Sequence, residues 1–205
     1  MKEIFGVSLG VFENLEIDND AILDSLEELD FIDNNPQGQN PNRQTNHYLH
    51  KDPKFDCITN FVKDSLELYR ANQGWDCNQL EITIMWGNKD LPQSGTHHML
   101  HQHQSSLVSG VYYATGGSDI YWRDPIYQRL YNAFGVRSVY GRYDVRHTPK
   151  PGQLVMFPSW LEHGTLPHTN WKKRWSIAFN AVPTGAINAN VNASGNPSIV
   201  LKLDD

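Results

Sequence analysis

Four of the nine histidines in this 205-residue chain lie in one short stretch, at His97, His98, His101 and His103. Imidazole is a ligand of iron, zinc, copper and nickel in proteins. If the stretch forms a β-strand, residues two apart point to the same side, so His101 and His103 place two imidazole rings in one cavity. A surface histidine pair has the same spacing, so the pair indicates a metal site only together with a third ligand.

A candidate third ligand follows a later predicted strand. Residues 153–157 form an apolar run that ends at a proline, and His163 opens the next predicted strand. In a barrel, this position lets His163 complete a three-ligand set with the earlier pair. His168 is the alternative, but it follows a proline in a predicted turn and is the weaker candidate.

The segment 174–180 alternates between two kinds of side chain. The apolar residues are Trp175, Ile177 and Phe179, and the polar or small residues are Arg174, Ser176, Ala178 and Asn180. If the apolar face packs against helices, the polar face lines the interior of a barrel. A buried arginine needs an anion, and its guanidinium group matches a carboxylate. Arg174 and Ser176 are therefore a candidate carboxylate receptor, and a surface ion pair of Arg174 is the alternative.

The elements that must position these residues are mostly strands. Two helices are predicted, at 19–31 and 54–73, because apolar residues recur there at helical spacing. The strands are predicted at 3–12, 80–86, 98–103, 107–114, 119–123, 138–147, 153–157, 163–167 and 174–182. Short strands after two helices predict a mainly β fold, a jelly-roll or cupin-like barrel with flanking helices.

The domain organisation follows from this change of periodicity. We expect a single domain, in which 1–78 packs on a barrel formed by 79–183 and is followed by an extended tail at 184–205 with a short strand at 198–203. Residues 33–53 are rich in Asn, Gln, Pro and Gly and are predicted to form a long loop. That loop either covers a substrate or is a plain surface loop.

The overall composition excludes several classes of function. The chain has 17 Lys and Arg against 23 Asp and Glu, a net charge of −6, which argues against a nucleic-acid partner. Cys57 and Cys77 fit neither a zinc ribbon nor a disulfide framework and indicate ordinary thiols in a reducing compartment. No apolar run is long enough to span a membrane, and the N-terminus is typical of a strand rather than a signal peptide. A cytoplasmic protein is expected.

The ordered set of motifs resembles the 2-oxoglutarate/Fe(II)-dependent oxygenase superfamily, especially a His-x-His branch found in bacteria and tailed phages. The motifs are His101-Gln102-His103, Asp124-Pro125, Pro151-Gly152, Phe157-Pro158, His163 and Arg174-x-Ser176. The resemblance covers about 79–182. It implies a double-stranded β-helix that uses Fe(II), 2-oxoglutarate and dioxygen to hydroxylate a small-molecule or peptide substrate. It also implies iron ligands at the three histidines and a cosubstrate carboxylate on Arg174 and Ser176, with no other catalytic residue.

The chain departs from the superfamily at one ligand position. Members usually carry a carboxylate two residues after the first histidine, and His103 stands there instead. The site therefore has three histidines, or His103 has another role and a distant carboxylate such as Asp124 is the ligand. Replacing a carboxylate by neutral imidazole leaves one more positive charge on the metal centre.

Two other classes of protein are compatible with the same pattern. A cupin-type three-histidine metalloenzyme also uses His-x-His and a distal histidine. Cupins, however, place a glutamate shortly after the second histidine, where this chain has Gln104 to Leu107. A non-catalytic jelly roll, either structural or glycan-binding, would use its exposed aromatic residues and would bind neither iron nor 2-oxoglutarate tightly.

Overall fold

The computed structural model describes residues 6–33, 43–125, 144–189 and 199–203. The helices are α1 (Asn19–Glu27) and α2 (Asp56–Gln73), and two short 3-10 turns cover Leu49–Lys51 and Pro53–Phe55. The strands in this part of the chain are β1 (Gly10–Glu13), β2 (Ile32–Asp33), β3 (Arg43–Gln44), β4 (Cys77–Asp90), β5 (Val108–Tyr113), β6 (Ile120–Arg123), β7 (Asp144–His147), β8 (Gln153–Pro158), β9 (His163–Thr165), β10 (Arg174–Ile187) and β11 (Ile199–Leu201).

The strands form two antiparallel sheets. The larger sheet has the order β1-β8-β5-β10-β4-β3-β2, and β11 pairs with the end of β10. The smaller sheet has the order β7-β6-β9. A second apolar core, which includes Ile120, Trp122 and Phe157, joins residues of both sheets. The predicted mainly β fold with flanking helices, a double-stranded β-helix, is confirmed.

Helix α2 covers the outer face of the larger sheet. Its buried residues include Ile58, Phe61 and Leu66, and they belong to one core with Ile177 and Phe179 of β10. The helix ends at Gly74, whose φ of 66° permits the left-handed cap that a side chain disfavours. The predicted packing of the apolar face of 174–180 against a helix is confirmed.

The register of β10 against β4 and β5 decides which side chains lie on the face of the sheet opposite to α2. Arg174 of β10 lies opposite Asp90 of β4, and Ser176 lies between Asn88 of β4 and Tyr113 of β5. Because side chains alternate along a strand, these residues share the face opposite to the apolar core. The polar residues of β10 therefore face the smaller sheet.

Several predicted elements differ from the structure. The strand at 98–103 is wrong: this stretch has no regular strand, and only His101 forms an isolated bridge, to His163. The last strand continues beyond 182 to Ile187, so it crosses the expected boundary of the tail. The loop prediction for 33–53 is also partly wrong, because β3 pairs with both β2 and β4. Parts of the predicted elements fall outside the described residues, at 3–5, 34–42, 138–143, 190–198 and 204–205.

Two smaller predictions can be compared directly. Cys57 and Cys77 are both free thiols, the first exposed and the second buried. Neither α1 nor α2 has the combination of length and apolar character that a membrane crossing requires, within the described residues.

Candidate metal centre

Three histidine rings converge on one point between the two sheets. The ring centroids of His101 and His163 are 4.4 Å apart, and those of His103 lie 5.0 Å from His101 and 5.1 Å from His163. One possible ligand atom from each ring lies within 4.8 Å of the other two. Imidazole nitrogen is a common ligand of transition metals, so this group of three rings is a candidate metal site.

Backbone hydrogen bonds hold the irregular histidine stretch against β9. The amide of His101 donates to the carbonyl oxygen of His163 at 3.0 Å, and the amide of His163 donates back at 2.9 Å. The amide of Thr165 donates to the carbonyl oxygen of His98, and the amide of His103 donates to that of Ser159, both at 3.0 Å. The stretch is thus fixed through its backbone although it lacks the period of a strand.

A glycine permits this close approach. A Cβ atom added at Gly164 would lie 2.7 Å from the carbonyl oxygen of His98 and 2.9 Å from the hydroxyl of Tyr121. A Cβ contact below 3.0 Å to a backbone oxygen would force the two segments of the chain apart. The residue next to His163 therefore has to be small for the histidines to meet.

Hydrogen bonds to backbone carbonyls set the orientation of two rings. Nδ1 of His101 lies 2.7 Å from the carbonyl oxygen of Met99, and Nδ1 of His163 lies 2.9 Å from that of Leu161. A carbonyl oxygen only accepts, so Nδ1 carries the proton in each ring. In the neutral ring Nε2 is then unprotonated and available as a metal ligand.

Burial favours the neutral form of His163, His103 and His98. Desolvation, with a smaller contribution from the neighbouring histidines, lowers the pKa of His163 to about 3 and that of His103 to about 4. Desolvation, followed by the charge of Arg174, lowers the pKa of His98 to about 3. Since a metal ion binds only unprotonated imidazole, the site is ready for a cation at neutral pH.

A cavity of about 120 Å³ extends from the three histidines to β10. Its polar lining includes Arg174, Ser176, Asn88 and Tyr113, and its apolar lining includes Trp86, Val111 and Ile120. Both ends of the candidate site therefore open into one space.

Arg174 is buried in this cavity with an unused donor. The residue is 3% exposed, and its Nε donates to Oδ2 of Asp90 at 2.5 Å. Its Nη1 is buried and makes no hydrogen bond to any described residue. A buried guanidinium donor without an acceptor is costly unless a ligand supplies one. This arrangement fits the carboxylate of a bound cosubstrate.

The structure places the predicted residues as follows. His101, His103 and His163 come together, and Arg174 and Ser176 line the same cavity. The other candidate ligands do not join the group: His168 lies apart, with Nε2 donating to the carbonyl oxygen of Lys172 at 2.7 Å. Asp124 is also outside the group within the described residues.

Several cavity residues were missed by sequence reasoning. His98 belongs to the histidine stretch but was not singled out as a cavity residue, and Tyr113 was considered only as a minor candidate. Asp90 lies outside the cavity lining, where it pairs with Arg174, and it was not considered at all. The period-two alternation of β4 is the signal that could have found it, because Trp86, Asn88 and Asp90 follow at every second residue.

The chain was compared with known families and proteins. Residues 84–180 match the profile of the family described as "Putative 2OG-Fe(II) oxygenase". No curated protein matches the chain.

Solved structures share the fold at low sequence identity. HygX from Streptomyces hygroscopicus, crystallised with nickel and 2-oxoglutarate, is 17% identical, with a TM-score of 0.61 over 87% of this chain and 84% of that chain. SnoN, a non-haem α-ketoglutarate-dependent epimerase from nogalamycin biosynthesis, is 8% identical, with a TM-score of 0.64 over 96% and 89%. A prolyl-4-hydroxylase from Pseudomonas putida is 15% identical, with a TM-score of 0.55 over 86% and 93%.

The family match contains every residue that converges on the cavity from β4, β5, β9 and β10. The fold match extends on both sides of it over most of the chain. Residues 84–180 therefore match a family of 2-oxoglutarate/Fe(II) oxygenases, and the chain shares the fold of the similar solved structures over most of its length.

Proposed function

We propose that the chain is a hydroxylase that holds Fe(II) on His101, His103 and His163 and binds 2-oxoglutarate through Arg174 and Ser176. One observation carries this proposal: the unpaired Nη1 of Arg174 is buried in the same cavity onto which the three histidines converge. A dicarboxylate with a metal-chelating end satisfies both ends of that cavity at once.

The histidines supply ligands from one side only. Nε2 of His101 and of His163 is freed for the metal by the bonds of Nδ1 to backbone carbonyls. The three histidines would hold Fe(II) at one end of the cavity, and the cavity itself would admit the cosubstrate and dioxygen. When bound, Fe(II) activates dioxygen, and the decarboxylation of 2-oxoglutarate to succinate supplies electrons for oxidation of the substrate.

Residues of the larger sheet bind the far carboxylate. Nη1 of Arg174 is the charged donor, and the hydroxyl of Ser176 lies two residues along on the same face. Tyr113, opposite Ser176 on β5, adds a third donor. Burial raises the pKa of Tyr113 well above its ordinary value, so its hydroxyl keeps its proton at neutral pH. These donors orient the cosubstrate with its keto-acid end toward the histidines.

Apolar residues line part of the space between the two ends. Val111 and Ile120 line the cavity, and Trp86 is held in place by a bond from Nε1 to Oδ1 of Asn88 at 3.2 Å. A low local dielectric strengthens the interaction of Arg174 with a carboxylate. No general acid or base is required of the protein, and the described cavity offers no carboxylate in its lining for one.

The proposed substrate is a small molecule or a peptide. HygX has been crystallised with hygromycin B, and another similar structure is a prolyl-4-hydroxylase. The net charge of −6 argues against a nucleic acid.

The test is an anaerobic titration with Fe(II) and 2-oxoglutarate, following the visible charge-transfer absorption of the chelate. We expect the band in the wild type, and Arg174→Lys should need ten- to a hundredfold more 2-oxoglutarate. Lysine keeps the charge but loses the planar group that serves Asp90 and the cosubstrate together. Arg146→Lys is the matched control, because Arg146 pairs with Asp144 on the surface.

Each alternative has its own result in this titration. Bound iron without the band contradicts the use of 2-oxoglutarate and favours a cupin-type three-histidine enzyme. Absence of iron binding favours a non-catalytic jelly roll. A band that is unchanged in Arg174→Lys contradicts the assignment of the carboxylate site.

A further inference from the structure

Asp90 and Arg174 form a buried ion pair at the end of the cavity. Their side chains are 1% and 4% exposed, and they are direct cross-strand partners on β4 and β10. Asp90 approaches the Nε edge of the guanidinium group, and its Oδ1 has no hydrogen-bond partner among the described residues. An acidic residue beside a carboxylate receptor weakens the attraction of that receptor for an anion, so its presence requires another reason.

A second contact, separate from the ion pair with Asp90, also positions the Arg174 side chain. A Cβ atom at Gly117 would lie 3.0 Å from Cδ of Arg174, so the backbone of this glycine packs directly on the arginine stem. The stem is thus held by a close backbone contact, and Asp90 is not the only group that orients the guanidinium. What Asp90 adds uniquely is its negative charge.

The charge of Asp90 can be explained by the sum of charges in a cavity that contains both Fe(II) and 2-oxoglutarate. Three neutral histidines leave the full double charge of Fe(II) uncompensated, and Arg174 adds one positive charge. The dianion 2-oxoglutarate removes two, which leaves one positive charge in the cavity. In the superfamily's usual ligand set a metal-bound carboxylate cancels it, but His103 occupies that position here. Asp90 cancels it from the other end of the cavity.

We propose that Asp90 is the counter-charge of this three-histidine site and supplies, beside Arg174, the negative charge that the chain lacks at position 103. This inference rests on the proposed function. An uncompensated charge is expensive in a low-dielectric site, and the interaction of charges across the cavity does not require contact. Asp90 does not reach into the cavity lining, so it is a positioning and charge-balancing residue rather than a catalytic one.

The test is a double-mutant cycle on 2-oxoglutarate affinity, measured by isothermal titration of the full chain at saturating Ni(II). We compare the wild type, Asp90→Asn, His103→Asp and the double variant. In the wild-type background His103→Asp adds a second negative charge, and 2-oxoglutarate should bind about tenfold more weakly. Asp90→Asn removes a negative charge, so 2-oxoglutarate should bind about tenfold more tightly, and the double variant should return to about the wild-type affinity.

A second readout follows the metal alone. Asp90→Asn should weaken Ni(II) binding several-fold in the absence of 2-oxoglutarate, because it removes a negative charge near a cation. His103→Asp in the same chain should restore that affinity. Asp90→Glu keeps the charge and should behave like the wild type in both measurements.

The outcomes separate this inference from the proposed function. Wild-type affinities of Asp90→Asn for both Ni(II) and 2-oxoglutarate overturn the role of Asp90 and leave the cosubstrate assignment standing. Failure of the nickel-loaded wild type to bind 2-oxoglutarate overturns both. If Asp90→Asn does not fold, Asp90→Ser removes the same charge, and wild-type affinities of that variant for Ni(II) and 2-oxoglutarate overturn the inference.

Discussion

The two ends of the cavity are built in different ways. The metal end, defined by His101, His103 and His163, combines a stretch without regular structure and the three-residue strand β9. The carboxylate end, defined by Arg174, Ser176 and Asp90, lies on β4 and β10, which are 14 residues long and paired along most of their length. The first end presents neutral rings, and the second contains a buried ion pair.

Because of this difference, substitutions at the two ends should affect metal binding and the stability of the fold to different extents. Neutral histidines that await a metal contribute little to folding, so a change at the metal end should mainly remove binding. A buried charge pair behaves differently, since removal of one partner leaves the other charge desolvated and unpaired. Changes at the carboxylate end should therefore affect the fold as well as the ligand.

The largest effect is expected from Arg174→Met at the carboxylate end. The change leaves the 1%-exposed Asp90 without its partner and should lower the free energy of unfolding by about 3–5 kcal/mol. Urea unfolding measures this. Arg174→Met combined with Asp90→Leu removes both charges and should recover much of the loss. A single variant as stable as the wild type would contradict the contrast between the two ends.

At the metal end, His101→Ala should abolish tight metal binding while the fold stays intact. Loss of one of three ligands should weaken Ni(II) binding by at least about a hundredfold. The unfolding free energy of the metal-free protein should change by less than about 1 kcal/mol, because the ring is partly exposed. Metal titration and urea unfolding measure the two effects. His147→Ala, which removes a histidine bonded to Gln153, is the control and should keep wild-type metal affinity.

A smaller effect is expected at the backbone contact of the metal end. Gly164→Ala should push β9 away from the carbonyl oxygen of His98 and weaken Ni(II) binding about tenfold. Gly116→Ala is the matched control, because a Cβ there would lie 3.4 Å from its nearest neighbour, the carbonyl oxygen of Pro149. Equal metal affinity in both variants would show that the close approach at Gly164 does not position the histidines.

The metal end should also make stability depend on pH. The pKa values of His163 and His103 are lowered to about 3 and about 4 in the fold, against a usual value of about 6.5. Between these values the unfolded chain binds more protons than the folded one, so stability falls as pH decreases below about 6.5. Thermal unfolding of metal-free protein from pH 7 to pH 4.5 should show this loss. His103→Asn should flatten the profile, and an unchanged profile would argue against burial as its cause.

The sequence predicted the carboxylate end for the correct physical reason. The alternation of 174–180 assigns Trp175 and Ile177 to one face and Arg174 and Ser176 to the other, because the side-chain period of a strand is two. The structure shows those faces against α2 and the cavity, respectively. At the metal end the grouping of the histidines was predicted, but through a strand at 98–103 that does not exist.

What replaces that strand could not be predicted locally. His101 and His103 reach His163 because backbone groups of 98–103 bond to those of 159–165, and because Gly164 lets the two segments touch. These contacts join parts of the chain about sixty residues apart, and irregular segments have no periodic signal in the sequence.

By itself, the sequence predicted the class of fold and identified the three histidines and the arginine as candidates for the site, since periodicity and residue type are local properties. Only the tertiary structure decided which residue stands opposite Arg174. Asp90 lies 84 residues earlier in the chain, and its pairing depends on the register of β4 against β10. A shift of one residue in that register would turn Asp90 to the other face of the sheet, because successive side chains of a strand point to opposite sides.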